Sequence, residues 1–147
     1  MNNEIKLEFD AISANESFAR VAVAAFVTPV NPTLEEIADV KTAVSEAVTN
    51  AIIHGYDGKR GKVFLHCILR ERTIHIEVKD TGKGIDDVDK AMEPLFTTRP
   101  ELDRSGMGFS FMEAFMDDLQ VLSAPGAGTC VVMDKRFADV SSGPYEE

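Results

Sequence analysis

The 147 residues carry 25 acidic against 15 basic side chains, a formal charge of −10, and 44% are hydrophobic. That apolar share excludes a disordered chain and suits one domain with an ordinary core. The acidic surplus argues against direct nucleic-acid binding, which needs excess Lys and Arg. The longest near-apolar run, Val21 to Val27, is too short to cross a bilayer, and the start MNNEIKLEF has no signal-peptide core. Cys67 and Cys130 lack the spacing of a zinc site or a disulfide framework. A soluble cytoplasmic protein without membrane contact is expected.

Ile5, Leu7 and Phe9 alternate with Lys6 and Glu8, the pattern of a half-buried strand. Ser13 to Glu16 reads as a capping box that opens a helix. Its core stripe is expected to be Phe18, Val21, Ala22, Ala25 and Phe26. Val23 and Val27 then fall on a second apolar face beside Glu16 and Arg20, and Pro29 and Pro32 end the helix. Thr33 to Glu36 is another capping box, starting a long helix that runs to about Gly55 with a core stripe of Ile37, Val40, Val44, Val48 and Ala51. Gly55 suits a left-handed helix-closing residue, and Tyr56 to Gly61 a polar turn.

Val63–Leu69 and Thr73–Lys79 read as strands joined by a hairpin at Arg70 to Arg72. Asp86 or Asp87 caps a short helix to Glu93, and Pro94 to Arg104 has the character of a loop. A helix over Gly108–Leu119 and strands over Gln120–Ala124 and Thr129–Asp134 complete the series. One domain over 1–137 and a polar tail over 138–147 are expected. The element order suggests an α/β two-layer sandwich, a mixed and mainly antiparallel sheet with helices on one face.

Glu46 and Asn50 stand four residues apart, on one face of the long helix and away from its apolar stripe. Asp80-Thr81-Gly82-Lys83-Gly84 follows a strand; the acid can accept a hydrogen bond from a base amino group while the glycines let the backbone turn tightly. Gly106-Met107-Gly108 precedes a helix, where backbone amides can hold phosphate oxygens. Gly126-Ala127-Gly128-Thr129 is the fourth motif. Each alone is an ordinary turn or helix face. No GxxxxGK[ST] loop is present.

In this order the four motifs resemble the GHKL (Bergerat) ATP-binding fold. The stretches NESFARVAVAAF, SEAVTNAIIHGY, PLFTTRPELDRSGMGF and FMEAFMDDL are similar to the anti-sigma F factors of endospore-forming bacteria, a family of switch-protein serine kinases. The resemblance implies a cytoplasmic homodimer that holds a sporulation sigma factor of RNA polymerase inactive. It further implies phosphorylation of a serine on an anti-anti-sigma protein, with ATP/ADP and Mg²⁺ as cofactors. It assigns Glu46 as general base, Asn50 as Mg²⁺ ligand and Asp80 as acceptor of the adenine amino group. Gly82, Gly84, Thr97, Thr98, Arg104, Ser105, Gly106, Met107, Gly108 and Thr129 are the further nucleotide contacts it implies, and Lys83 and Arg99 join Arg104 as candidate phosphate partners. Ser45 replaces the histidine that commonly precedes the N-box Glu, which disfavours a phosphohistidine mechanism; Cys130 stands where relatives often carry Thr. Arg20, a cation beside the apolar pair Val23 and Val27, is the expected partner anchor. A GHKL ATPase that drives a partner by loop closure, and a module that only binds nucleotide, are the competing functions.

Overall fold

The computed structural model describes residues 1–93 and 108–139. The expectations for Pro94 to Met107, which include Thr97, Thr98, Arg99, Arg104, Ser105, Gly106 and Met107, and for the tail from 140 onward lie outside the described residues. In chain order the elements are β1 (Asn2–Asp10), α1 (Ser13–Val27), a 3-10 turn (Thr28–Val30) and α2 (Leu34–Asn50). A wide π-helical turn (Ala51–Gly55), β2 (Lys62–Arg70), β3 (Thr73–Asp80) and α3 (Val88–Ala91) follow, then α4 (Gly108–Phe115), β4 (Asp118–Ser123) and β5 (Thr129–Arg136). The strands form one sheet in the order β1-β2-β3-β5-β4. Every described pairing is antiparallel, so the parallel component allowed by a mixed sheet does not occur among these strands.

Strand alternation sets the layers. Val63, Leu65, Cys67 and Leu69 of β2 and Ile74, Ile76 and Val78 of β3 point into the core, while Phe64, His66, His75 and Glu77 point the other way. The buried face meets the helices, where Val40, Ala43, Val44, Ala47 and Val48 of α2 are enclosed. The capping box at Thr33 is present: Glu36 N–H donates to Thr33 Oγ1 at 3.1 Å and Thr33 N–H to Glu36 Oε1 at 2.8 Å. It satisfies two of the free amides at the helix start. Among the described residues no helix is long and apolar enough to cross a membrane.

Helix α1 corrects the sequence reading. Its buried face is Ala19, Val23, Phe26 and Val27, whereas Phe18 is 56% and Val21 60% exposed. Val23 and Val27 are therefore core residues and not a surface patch beside Arg20; each contributes about 1.5–3 kcal/mol by burial. The capping box at Ser13 does not form, because Ile12 is the N-cap and makes no side-chain bond. Glu16 instead accepts from Ser45 Oγ, pinning α1 to α2. At the other end of the chain, α4 stops at Phe115, because Asp118 and Leu119 already pair with Asp134 and Met133 of β5.

Candidate functional site

The site begins where α2 runs out. Asn50 is its last residue, and the chain continues through the π-helical turn, a widened geometry often found at functional sites. Gly55, expected as a left-handed cap, does not have a positive φ. Its reason for being glycine is spatial: a methyl group there would lie 2.8 Å from Asp80 Cγ and 2.9 Å from both carboxylate oxygens. The helix end and the end of β3 are thus packed directly against each other.

Asp80, the last residue of β3, is 4% exposed and is the buried charged side chain among the described residues. Gly82 N–H donates to Asp80 Oδ1 at 2.9 Å. Burial pushes the Asp80 carboxyl above the usual carboxylate range, and the backbone amides of Gly82 and Thr129 offset only part of that rise. Gly82 has to be glycine because a Cβ would fall 2.0 Å from the carbonyl oxygen of Gly55. That same carbonyl accepts from Lys83 N–H at 2.9 Å. Gly84 takes φ +77°, against the backbone of Ala124.

Two hydroxyls brace this loop. Tyr56, assigned from sequence to a polar turn, is 8% exposed. Its hydroxyl accepts from Thr81 N–H at 2.8 Å and donates to the Lys62 carbonyl at 2.5 Å. On the far side, Ser123 Oγ accepts from Ile85 N–H at 2.9 Å and donates to the Gly128 carbonyl at 2.8 Å.

Between these braces and the helices lies a cavity of about 490 Å³. Ala47, Ala51, Val78, Ile85, Phe109 and Val131 supply apolar wall, while Asn50, His54, Asp80, Lys83 and Thr129 supply polar groups. Glu46 and Asn50 converge on the first residue of α4: a methyl at Gly108 would lie 3.2 Å from Glu46 Oε2 and 3.3 Å and 3.4 Å from the Asn50 amide atoms. The i,i+4 pair therefore faces the helix start at the last glycine of the third motif.

Of the sequence candidates, Asn50, Asp80, Lys83, Gly84, Gly108 and Thr129 line one cavity; Glu46 adjoins it at Gly108, and Gly82 packs against Gly55. Arg20 stands apart from it, on α1. The sequence alone did not single out Gly55, Tyr56 or Ser123, whose roles rest on contacts distant in sequence, nor His54, which lines the cavity. Glu46, Asn50 and His54 recur at four-residue intervals, a signal that could have drawn His54 in.

Chemically, the cavity offers a buried acceptor at Asp80, apolar walls, and a carboxylate–amide pair beside a helix start. A planar base suits the first two, and an anionic group suits the third. For a divalent cation, the Asn50 amide oxygen is the donor placed at Gly108, next to the Glu46 carboxylate. Among the described residues no group of three His, Cys, Asp or Glu side chains is placed to enclose a metal ion.

Comparison with known proteins places the chain in a family. Residues 10–135 match the model of the histidine kinase-like ATPase domain. The chain is 57% identical over 138 residues to an anti-sigma F factor of Clostridium acetobutylicum, covering 94% of this chain and 96% of the relative. It is 51% identical over 139 residues to an anti-sigma F factor of Bacillus subtilis, covering 94% and 95%. Among solved structures, the RsbU and RsbW domains of a Mycobacterium tuberculosis protein superpose with a TM-score of 0.67 at 18% identity, covering 95% of this chain and 35% of that one. At that identity the likeness speaks for the fold. Matched by that domain model over most of its length and by relatives over nearly all of it, the chain belongs to the anti-sigma F factor family of histidine kinase-like ATPase domains.

Proposed function

We propose that this protein binds ATP or ADP with Mg²⁺ in the cavity and phosphorylates a serine of an anti-anti-sigma protein. In the same reading it binds a sporulation sigma factor and keeps it inactive, as a cytoplasmic homodimer. The observation that carries the catalytic part is the convergence of Glu46 and Asn50 on Gly108, beside the cavity whose buried polar group is Asp80.

In this reading Asp80 accepts from the exocyclic amino group of adenine, and the apolar walls take the faces of the ring. Mg²⁺, when bound, supplies charge neutralisation at the phosphate oxygens. Asn50 would hold it through its side-chain amide oxygen, and Lys83 offers a cation at the cavity wall. Glu46 accepts the proton of the attacking serine hydroxyl as the new O–P bond forms and the bond from the γ-phosphorus to its bridging oxygen breaks. Thr97, Thr98, Arg99 and Arg104 are proposed to cover the phosphates, and Ser105, Gly106 and Met107 to contact the nucleotide, roles that rest on the family resemblance alone. Arg20 is the proposed contact to the sigma factor or the anti-anti-sigma protein. The apolar surface available on the same helix is Phe18 and Val21.

The test follows labelled phosphate from Mg·ATP, with and without an anti-anti-sigma protein. Label on a partner serine is the expected result. Release of free phosphate alone would replace the kinase with an ATPase, and neither would leave a binding module. Glu46→Ala should bind ATP at near wild-type affinity and lose transfer by at least about a hundredfold, the size of a general-base effect. Wild-type transfer in that variant would remove Glu46 from the mechanism.

A further inference from the structure

Ser123 is the last residue of β4 and faces Thr129 of β5 across the ladder. Its hydroxyl is engaged three times: Ile85 N–H donates to it at 2.9 Å, it donates to the Gly128 carbonyl at 2.8 Å, and Thr129 Oγ1 lies 2.8 Å away. A serine hydroxyl has one proton and two lone pairs. The proton goes to the Gly128 carbonyl, which can only accept, and one lone pair takes the Ile85 amide. The remaining lone pair requires Thr129 to be the donor. The Thr129 hydroxyl proton is thereby turned toward Ser123, and its own lone pairs are left as the polarity it can show the cavity it lines.

We infer that Ser123 is a specificity-determining positioning residue of the nucleotide site, holding Thr129 as a hydrogen-bond acceptor alongside the acceptor Asp80. This rests on the proposal that the cavity takes an adenine nucleotide. Two neighbouring acceptors match an exocyclic amino group, which has two N–H donors. They oppose a 6-oxo purine, whose oxygen at the same position can only accept. Discrimination of this kind comes from leaving buried polar groups unpaired with the wrong ligand. Ser123 does this without touching the base, by settling the direction of one proton.

Removing the Ser123 hydroxyl frees Thr129 to turn its proton into the cavity and donate to a 6-oxo group. The experiment measures dissociation constants of Mg·ATP, Mg·ITP and Mg·purine riboside triphosphate for the full chain. ITP differs from ATP in carrying a 6-oxo group with a proton on N1, and the third nucleotide carries neither group at position 6. In Ser123→Ala the ITP/ATP ratio of dissociation constants should fall about tenfold, the weight of one hydrogen bond. Ser123→Thr, which keeps the hydroxyl, should retain the wild-type ratio. In a Thr129→Val background Ser123→Ala should no longer move it.

A merely structural role would weaken all three nucleotides together and leave the ratio unchanged, and that result overturns the inference. If Ser123→Ala does not fold, a wild-type ratio in Thr129→Val overturns it equally, since no Thr129 polarity would then be at work. Asp80→Ala, which leaves no acceptor at this position, separates the two levels. If it leaves the preference for ATP over purine riboside triphosphate intact, the adenine-site reading itself falls. If it abolishes that preference while Ser123→Ala leaves ITP/ATP unchanged, only the role of Ser123 falls.

Discussion

Replacing Gly55 by alanine adds a single methyl group far in sequence from Asp80 but in contact with it. The methyl carbon would lie 2.8 Å from Asp80 Cγ and 2.9 Å from each carboxylate oxygen. Non-bonded carbon atoms settle at about 3.5 Å or more, so the carboxylate must retreat by roughly 0.7 Å. Its bond from Gly82 N–H, 2.9 Å long, stretches or breaks with that movement. Backbone conformation does not object, since Gly55 does not have a positive φ and ends a helical turn. In the proposed binding mode a displaced carboxylate loses its charge-assisted bond to the base amino group, worth about 1.5–3 kcal/mol, and ATP affinity should fall roughly 10- to 150-fold. Isothermal titration with ATP and with purine riboside triphosphate reads this directly, with a melting curve to confirm folding. Affinity for purine riboside triphosphate should change much less, because it brings no amino group. A folded Gly55→Ala protein with wild-type ATP affinity would refute the packing account of Asp80.

Tyr56→Phe keeps the ring and leaves the Thr81 amide and the Lys62 carbonyl without their common partner; urea unfolding should show a loss of about 2 kcal/mol. A loss below about 0.5 kcal/mol would mean that the hydroxyl is not a brace. Asn50→Ala should weaken Mg²⁺-dependent ATP binding by roughly tenfold or more while leaving metal-free binding little changed, measured by titration with and without EDTA. His75 sits on the open sheet face with Nδ1 2.8 Å from Asp134 and Nε2 2.8 Å from Glu77. Burial alone would lower its pKa, but the two carboxylates together hold it above the ordinary histidine range. Its stabilising contribution is therefore complete below about pH 6.5, the unfolded value, and is lost as pH rises through the folded value. Because all three groups are partly exposed, the contribution is under about 1 kcal/mol. The gap in unfolding free energy between wild type and His75→Gln should narrow from pH 5.5 to pH 9, and a widening gap would reverse the sign of this coupling.

Features that depend on neighbours along the chain were legible in the residues. The capping box at Thr33 closes within one helical turn. The alternation of Ile74, Ile76 and Val78 with His75 and Glu77 is set by the strand pleat, and Glu46 and Asn50 share a face because a helix repeats every 3.6 residues. The ordered motifs added the family, since their combination is far rarer than any one of them. Other features depend on what lies opposite in the folded chain. Helix α1 is apolar on two sides, so its periodicity could not say whether Phe18 and Val21 or Val23 and Val27 would be enclosed; packing put the valine pair inside and left Phe18 and Val21 exposed. Gly55, Tyr56 and Ser123 read locally as a cap, a turn residue and a strand end. Their partners Asp80, Thr81 and Ile85 lie 25 to 38 residues away, and only chain closure brings them within bonding distance. Local geometry determines which groups an element can present, and the surface folded against it determines which of them act.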